Sequence, residues 1–168
     1  MNTKFSRLVI SAISGMLLMS GIAIAAEGGV DWKALKAAKL SLAKGLSAAQ
    51  QKGKAISGKF EMEDGKLQLS VYTAKSGKFS EVIVNHKSGK ISRSEEIKKS
   101  EDLAHSAAQD KAMAKAKKSL RAAADKAVAG NKGYRVVSIV PSLEQDKPVA
   151  TIVLQNATGT KTVAEKLD

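Results

Sequence analysis

The chain has 168 residues, a formal net charge of +12 at pH 7 and no cysteine. Without cysteine the fold depends on packing rather than on disulfides, and the excess of lysine predicts attraction to anionic surfaces or, more simply, a well-solvated surface. Two histidines and scattered carboxylates form no cluster of the kind that catalysis or metal binding needs. Neither an enzyme nor a metal or cofactor site is therefore predicted.

The first 26 residues have the pattern of a secretory signal peptide. Lys4 and Arg7 form a positive start, and residues 8–24 are uncharged and largely apolar. We predict cleavage after Ala25 or Ala26 and a mature protein in the periplasm or secreted from the cell. An uncleaved membrane anchor is the alternative, because the uncharged run approaches the length of a membrane span. After cleavage no apolar run could span a membrane, and export argues against nucleic acid as a partner.

The first half of the mature chain predicts one helix followed by three strands. Apolar residues recur three or four apart over residues 31–51, which is the spacing of one helix face. Apolar and polar residues then alternate, as they do in half-buried strands. The three strands are predicted at residues 54–63, 66–72 and 79–85, with residues 86–91 leaving the sheet.

The second half predicts the same order of elements. A helix is expected from residue 101 or 102 to residue 129, where a segment with two glycines ends it. Three more strands are predicted at residues 134–144, 148–155 and 160–167.

This duplicated order predicts an α+β fold of two tandem units, residues 27–97 and 98–168. Each unit would pack one helix on a three-stranded antiparallel sheet. A helix covers only one face of such a sheet, so the other face is left for the sister unit, a partner or solvent. In the second strand the solvated face is predicted to consist of Lys66, Gln68, Ser70 and Tyr72.

Residues 65–72, a turn at Gly77 and residues 79–91 resemble the PepSY domain. That family has a helix followed by an antiparallel sheet, and its last strand ends in a Val-Asp-x-x-Thr-Gly-Lys-Val type signature. The corresponding turn here consists of Asn85, Ser88, Gly89 and Lys90. Asn85 replaces the usual Asp and Ser88 the usual Thr, and both keep a side chain that can cap a turn. The second unit is a degenerate copy, because residues 160–167 lack the signature.

The resemblance implies a binding function rather than catalysis. PepSY domains occur in propeptides of thermolysin-type metallopeptidases and in other secreted or membrane-attached bacterial proteins, and the family shares no catalytic residue. We therefore expect an exported, non-catalytic periplasmic protein that binds a peptide or protein partner through a sheet face or edge. Restraint of a peptidase is the more specific form of this hypothesis.

A group of basic residues on the second predicted helix suggests an alternative function. Lys111, Lys115 and Lys118 are three or four residues apart and would share one face of that helix, with Arg121 close by. Such a face would let an envelope-associated protein bind anionic lipid or polysaccharide. The apolar side of the helix is mainly alanine, too small for insertion into a membrane. A simply solvated face is the other interpretation.

Overall fold

A computed structural model describes residues 29–168 of the protein, so the predicted signal peptide and its cleavage site lie outside the described residues. The described chain contains four helices: α1 (Trp32–Ala37), α2 (Leu42–Ala49), α3 (Ser100–Lys115) and α4 (Leu120–Ala129). It also contains seven strands: β1 (Lys54–Glu63), β2 (Lys66–Lys75), β3 (Lys78–Val84), β4 (Ile91–Glu96), β5 (Arg135–Glu144), β6 (Lys147–Asn156) and β7 (Gly159–Lys166).

All seven strands belong to one antiparallel sheet, in the order β4-β3-β2-β1-β5-β6-β7. The prediction of two units, each with one helix on a three-stranded sheet, is therefore wrong. The first strands of the two halves pair with each other, with Gly58 opposite Ile139 and Lys59 opposite Ser138. The two halves thus share a single sheet instead of packing as separate units.

Each of the two predicted helices is interrupted in the middle. The helix predicted over residues 31–51 stops at Ala38, whose backbone is extended, and resumes after Ser41, which caps α2. The helix predicted as far as residue 129 stops at Ala116 and resumes after Ser119, which caps α4. These two interruptions, residues 38–41 and 116–119, are called the first and second breaks below.

Both breaks are held by a carbonyl from a distant part of the chain. The amides of Lys39 and Leu40 donate to the carbonyl of His86, at 3.0 and 2.9 Å. The amides of Lys117 and Lys118 donate to the carbonyl of Leu167, at 2.7 and 2.9 Å. These tertiary hydrogen bonds overcome the helix-forming tendency of the alanine-rich sequence around each break.

The fourth strand of the first half was also missed from the sequence. Residues 86–90 leave the sheet, but Ile91, predicted to leave with them, begins β4, which pairs with β3 from Ser80↔Glu96 to Val84↔Ile91. Its residues are almost all polar and exposed, so no alternation of apolar side chains marks it as a strand.

The two halves are related by an approximate twofold axis through the centre of the sheet. β1 and β5 each begin with a basic residue, Lys54 and Arg135, and each has a register shift one residue later. Gly58 occupies the same position in β1 as Ile139 does in β5, and these two residues face each other. The axis therefore passes through this pair.

One face of the sheet, called the core face, carries α2 and α4. A Cβ on Gly58 would lie 3.1 Å from Leu46 of α2, and one on Gly45 of α2 would lie 2.5 Å from Leu69 of β2. α4 packs beside α2 and contributes Leu120 to the same core. The largest fully buried side chains there include Leu42, Leu46, Leu69, Ile139, Ile152 and Leu154.

The opposite face, called the polar face, carries α3 near one end of the strands. In β1 it is the face of Ser57, Lys59 and Glu61, which alternate with Gly58. The Ser57 hydroxyl donates to Oε1 of Gln109 in α3 at 2.7 Å. α3 also contacts β5, β6 and β2, so it crosses the sheet before the chain passes to the core face at the second break.

Candidate binding surfaces

The outer edge of β7 is one of the two edges at which the sheet ends among residues 29–168. β7 pairs with β6 along its whole length without a register shift. The Leu167 amide donates to the Pro148 carbonyl of β6 at 2.9 Å. Because backbone groups alternate in direction along a strand, the odd-numbered residues of β7 point towards β6 and the even-numbered ones point away from it. The amides and carbonyls of Thr160, Thr162 and Ala164 therefore point away from the sheet, and all three residues are exposed. β7 thus presents a regular row of outward backbone donors and acceptors.

The other edge, at β4, has features that hinder pairing with a further strand. Its ladder to β3 is interrupted by a register shift at Ile83 and Val84. It carries Arg93, Glu95 and Glu96, and Arg93 lies 3.5 Å from the Glu95 carboxylate. Irregular pairing and charged side chains are the usual means by which sheet edges avoid association. β7 also carries charged residues, but its ladder is regular, Lys161 lies over the Tyr134 ring and Glu165 is paired with Lys126.

The approximate twofold axis relates the free edge of β7 to an occupied one. β3 and β7 are the third strands of their halves, and each follows the second strand through a tight turn. In the first half the outer edge of β3 is covered by β4, which runs antiparallel to it. No described strand covers the corresponding edge of β7.

The polar face of the first half holds a compact group of hydrogen-bonded side chains. The Tyr72 hydroxyl donates to Oε1 of Glu81 at 3.1 Å, and the Ser70 hydroxyl donates to Oε1 of Glu61 at 2.6 Å. Lys59 lies 2.6 Å from the other Glu61 oxygen. Ser70 and Tyr72 are buried, so the prediction of a fully solvated face in β2 is wrong for these two residues.

Burial and neighbouring negative charge raise the pKa values of Glu81 and Tyr72 in this group. Burial raises the pKa of Glu81, and the negative charge of Glu61 raises it further. Burial likewise raises the pKa of Tyr72, with the neighbouring carboxylates of Glu81 and Glu61 adding to it. Each of these side chains has a hydrogen-bond or ion-pair partner within the group, so the group holds β1, β2 and β3 to one another on this face.

The basic residues predicted to share one helix face are divided between two helices and the second break. Lys111 and Lys115 lie on α3, Lys118 in the second break and Arg121 on α4. Lys115 forms an ion pair with Asp146 in the turn between β5 and β6. The hydrogen bond and the charge of Lys115, together with the charge of Lys111, hold the pKa of Asp146 below its usual value.

Lys118 and Arg121 lie on a different side of the molecule from Lys115, and not on the one helix face that was predicted for all of them. Both line a depression beside α2, whereas Lys115 points towards the turn that contains Asp146. The Arg121 guanidinium also lies 3.7 Å from the carboxylate of Asp125, one turn further along α4. The predicted continuous stripe of positive charge is therefore not present on one helix face.

The predicted signature turn after β3 is a compact Asx turn. Oδ1 of Asn85 accepts hydrogen bonds from the amides of Lys87 and Ser88, at 2.9 and 3.0 Å. The Ser88 hydroxyl accepts from the Lys90 amide at 3.3 Å, and Gly89 adopts a positive φ of 78°. The side chains of Asn85 and Ser88 therefore both cap the turn. The turn positions His86, whose carbonyl holds the first break.

Among residues 29–168 there is no group of three or more His, Cys, Asp or Glu side chains arranged to hold a metal ion. The ring of His86 is partly buried, which together with the charge of Lys87 lowers its pKa and favours the neutral imidazole. No helix in the described part of the chain is long and apolar enough to cross a membrane.

Comparison of the chain with family models, with curated proteins and with solved structures yields no match. The resemblance to the PepSY domain therefore remains a prediction from the residues that carry it.

The free edge of β7 could not be found from the sequence, because it depends on which strands pair. A strand at a sheet edge and a strand in the interior can have the same alternation of residues.

Proposed function

We propose that the protein is an exported, non-catalytic binding protein that holds an extended segment of a partner protein along the outer edge of β7. The observation that carries this proposal is the row of outward backbone groups at Thr160, Thr162 and Ala164. Pairing with such a row requires only backbone hydrogen bonds and so suits a protein without a deep pocket.

The first half of the chain supports this mode of binding. There the edge equivalent to that of β7 is covered by β4, a strand of six residues that runs antiparallel to β3. The fold therefore accommodates a short antiparallel strand at this position. We expect the partner segment to be of similar length and to run antiparallel to β7.

Proline substitutions at the two sheet edges test the proposal. The Thr162 amide points outward, so Thr162→Pro removes a free donor without breaking the β6–β7 ladder, and proline is tolerated at sheet edges. Ser94→Pro makes the matched change at the β4 edge. The Ile97 amide donates to the Phe79 carbonyl, so Ile97 and Glu95, which is paired with Glu81, point towards β3. The Ser94 amide between these positions therefore points outward. Circular dichroism and urea denaturation check that both variants remain folded.

The two variants and the unchanged protein are immobilised and exposed to an envelope extract. We expect partners captured by the unchanged protein to be retained by Ser94→Pro and lost by Thr162→Pro. Cross-links from the captured partner to Lys161 or Lys166 should locate it at β7. Equal retention by Thr162→Pro, or equal loss by both variants, would contradict strand pairing at this edge.

The more specific form of the proposal is that the partner is a peptidase of the thermolysin type, as the PepSY resemblance suggests. The rate at which such a peptidase cleaves a small peptide should then fall when the protein is added, and Thr162→Pro should restore it. An unchanged rate would exclude restraint of the peptidase, and the capture experiment would still test strand pairing independently.

A further inference from the structure

A depression of about 240 Å³ lies between α2, the start of β1 and the second break. Four basic side chains line it, and no acidic side chain does. We call it the break pocket, and its basic residues are Lys54, Lys117, Lys118 and Arg121. We propose that the break pocket binds a phosphate group.

Two of the lysines make contacts that leave their charge available, whereas the Arg121 guanidinium lies 3.7 Å from the Asp125 carboxylate, which does not line the pocket. Lys54 Nζ donates to the Met113 carbonyl at 2.8 Å, and Lys118 Nζ lies 3.4 Å from the Lys166 carbonyl. Neither contact neutralises the ammonium group. None of the salt bridges found between described residues includes Lys54, Lys117 or Lys118. By contrast, Lys115 is paired with Asp146.

The first break shows that the fold does not require this charge. It has the same backbone arrangement, and Arg135, the counterpart of Lys54, donates to the carbonyl of Leu40 at 2.9 Å. Leu40 stands where the second break has Lys118, and it packs against the hydrophobic core. Ala43 is the second residue of α2, as Arg121 is of α4, and it is buried. The two additional charges of the break pocket are thus a property of the second half alone.

Lys54, Lys117 and Lys118 form no salt bridge with a described carboxylate, so they repel one another, and a bound anion relieves that repulsion. The pocket is open on one side and small, which suits a compact anion better than a large ligand. A phosphate offers several oxygens to ammonium and guanidinium donors at once. A free phosphate and the headgroup of an anionic phospholipid present the same chemistry, so both are probes of the site.

The test uses inorganic phosphate as the probe, titrated into isotopically labelled protein at constant pH and ionic strength with chloride as the balancing ion. Backbone amide signals of residues 117–121 and of Lys54 should shift in a saturable way. Holding the ionic strength constant ensures that general screening of surface charge stays the same.

The variant that combines Lys118→Leu with Arg121→Ala replaces these two residues by those at the equivalent positions of the first half, Leu40 and Ala43. We expect it to fold and to bind phosphate at least tenfold more weakly. Lys111→Gln combined with Lys115→Gln removes the same charge from α3 and should bind as the unchanged protein does. Lys117→Gln, at an exposed position, provides a second variant that should weaken binding several-fold without altering the core.

Vesicles of phosphatidylglycerol, with phosphatidylcholine vesicles as the neutral comparison, distinguish the two sources of phosphate. Binding to the anionic vesicles that is lost in Lys118→Leu with Arg121→Ala identifies a lipid headgroup. Phosphate binding without vesicle binding identifies a free phosphate. The proposal is overturned if no saturable shift occurs at residues 117–121, or if the α3 variant loses as much affinity as the break-pocket variant.

Discussion

The pairing of β1 with β5 predicts that the two halves of the protein unfold together. Ile139 lies at the centre of this pairing, fully buried and opposite Gly58. Ile139→Ala should therefore destabilise the whole described fold and not only the second half. Truncation of a buried Ile to Ala costs about 2–5 kcal/mol.

The structure places the expected cost in the middle of that range, at about 3–4 kcal/mol. Gly58 has no side chain with which to fill the space that Ile139 would leave, and Leu46 already lies within 3.1 Å of a Cβ placed there. The total stability of a domain is about 5–15 kcal/mol, so the loss would be a large share of it. The urea midpoint should fall clearly at neutral pH.

Two fluorescent probes report on the two halves separately. Trp32, the single tryptophan, lies in α1 and reports on the first half. Tyr134→Trp, made together with Trp32→Phe, places the probe next to β5 in the second half. Val163→Ala, at a half-buried position in β7, is the control away from the centre and should cost about 1 kcal/mol.

We expect Ile139→Ala to lower the urea midpoint equally for both probes, because both halves depend on one sheet and one core. The transition should remain single and cooperative. If the first-half probe kept its midpoint while the second-half probe lost stability, the halves would be independent domains. That result would refute the argument from the shared sheet.

Two further predictions concern the polar face and the contact of α2 with the sheet. Burial and the charge of Glu61 raise the pKa of Glu81, so its contribution to stability is greatest below the ordinary pKa of a glutamate and is lost as the pH rises through the raised value. Urea midpoints should therefore show Glu81→Gln gaining stability relative to the unchanged protein as the pH rises above the ordinary pKa of a glutamate, and a relative loss of stability over that rise would contradict this. Gly45→Ala should lower the thermal midpoint, because the added methyl lies 2.5 Å from buried Leu69 and over-packing of about 1–3 kcal/mol exceeds the helix-propensity gain of about 1 kcal/mol. An unchanged or higher midpoint would mean that Leu69 can move aside.

Most of the strands could be predicted from the sequence because their signals are local. β1 has the predicted bounds, and the turn after it contains Asp64 and Gly65, both with positive φ. The next turn contains Ser76 and Gly77, again both with positive φ. Two-residue turns of this kind determine which strands are neighbours, so each run of three strands follows from residues close together in the chain.

The pairing of β1 with β5 could not be predicted, because its partners are far apart in sequence. Gly58 and Ser138 carry no local sign that their strands meet. The expectation of two units arose from treating the duplicated order as two separate cores. The same order also allows one continuous sheet, and only the long-range register distinguishes the two arrangements.

The inward side of α3 escaped prediction for a different reason. Its buried residues include the polar Ser106 and Gln109 beside Ala112 and Met113, whereas Ala107 is exposed. α3 rests on the polar face of the sheet, where Gln109 accepts a hydrogen bond from Ser57. Apolar periodicity cannot identify the buried side of a helix that packs partly through polar side chains.

The two proposed sites occur where the halves of the molecule differ. An approximate twofold axis means that the fold is satisfied by either version of each equivalent position. Differences between equivalent positions are therefore free to serve function. The uncovered edge of β7 and the charged break pocket are two such differences, and both belong to the second half.

These two sites also meet at one residue. Lys118 of the break pocket approaches the carbonyl of Lys166, the last residue of β7, at 3.4 Å. That carbonyl belongs to the outward-pointing series of β7, because Leu167 next to it is directed towards β6. A strand that pairs along the whole of β7 would donate to this same carbonyl, so Lys118 would have to share it or move away. Strand binding and phosphate binding would then change each other's affinity by the same factor, as thermodynamic linkage requires of any two coupled sites.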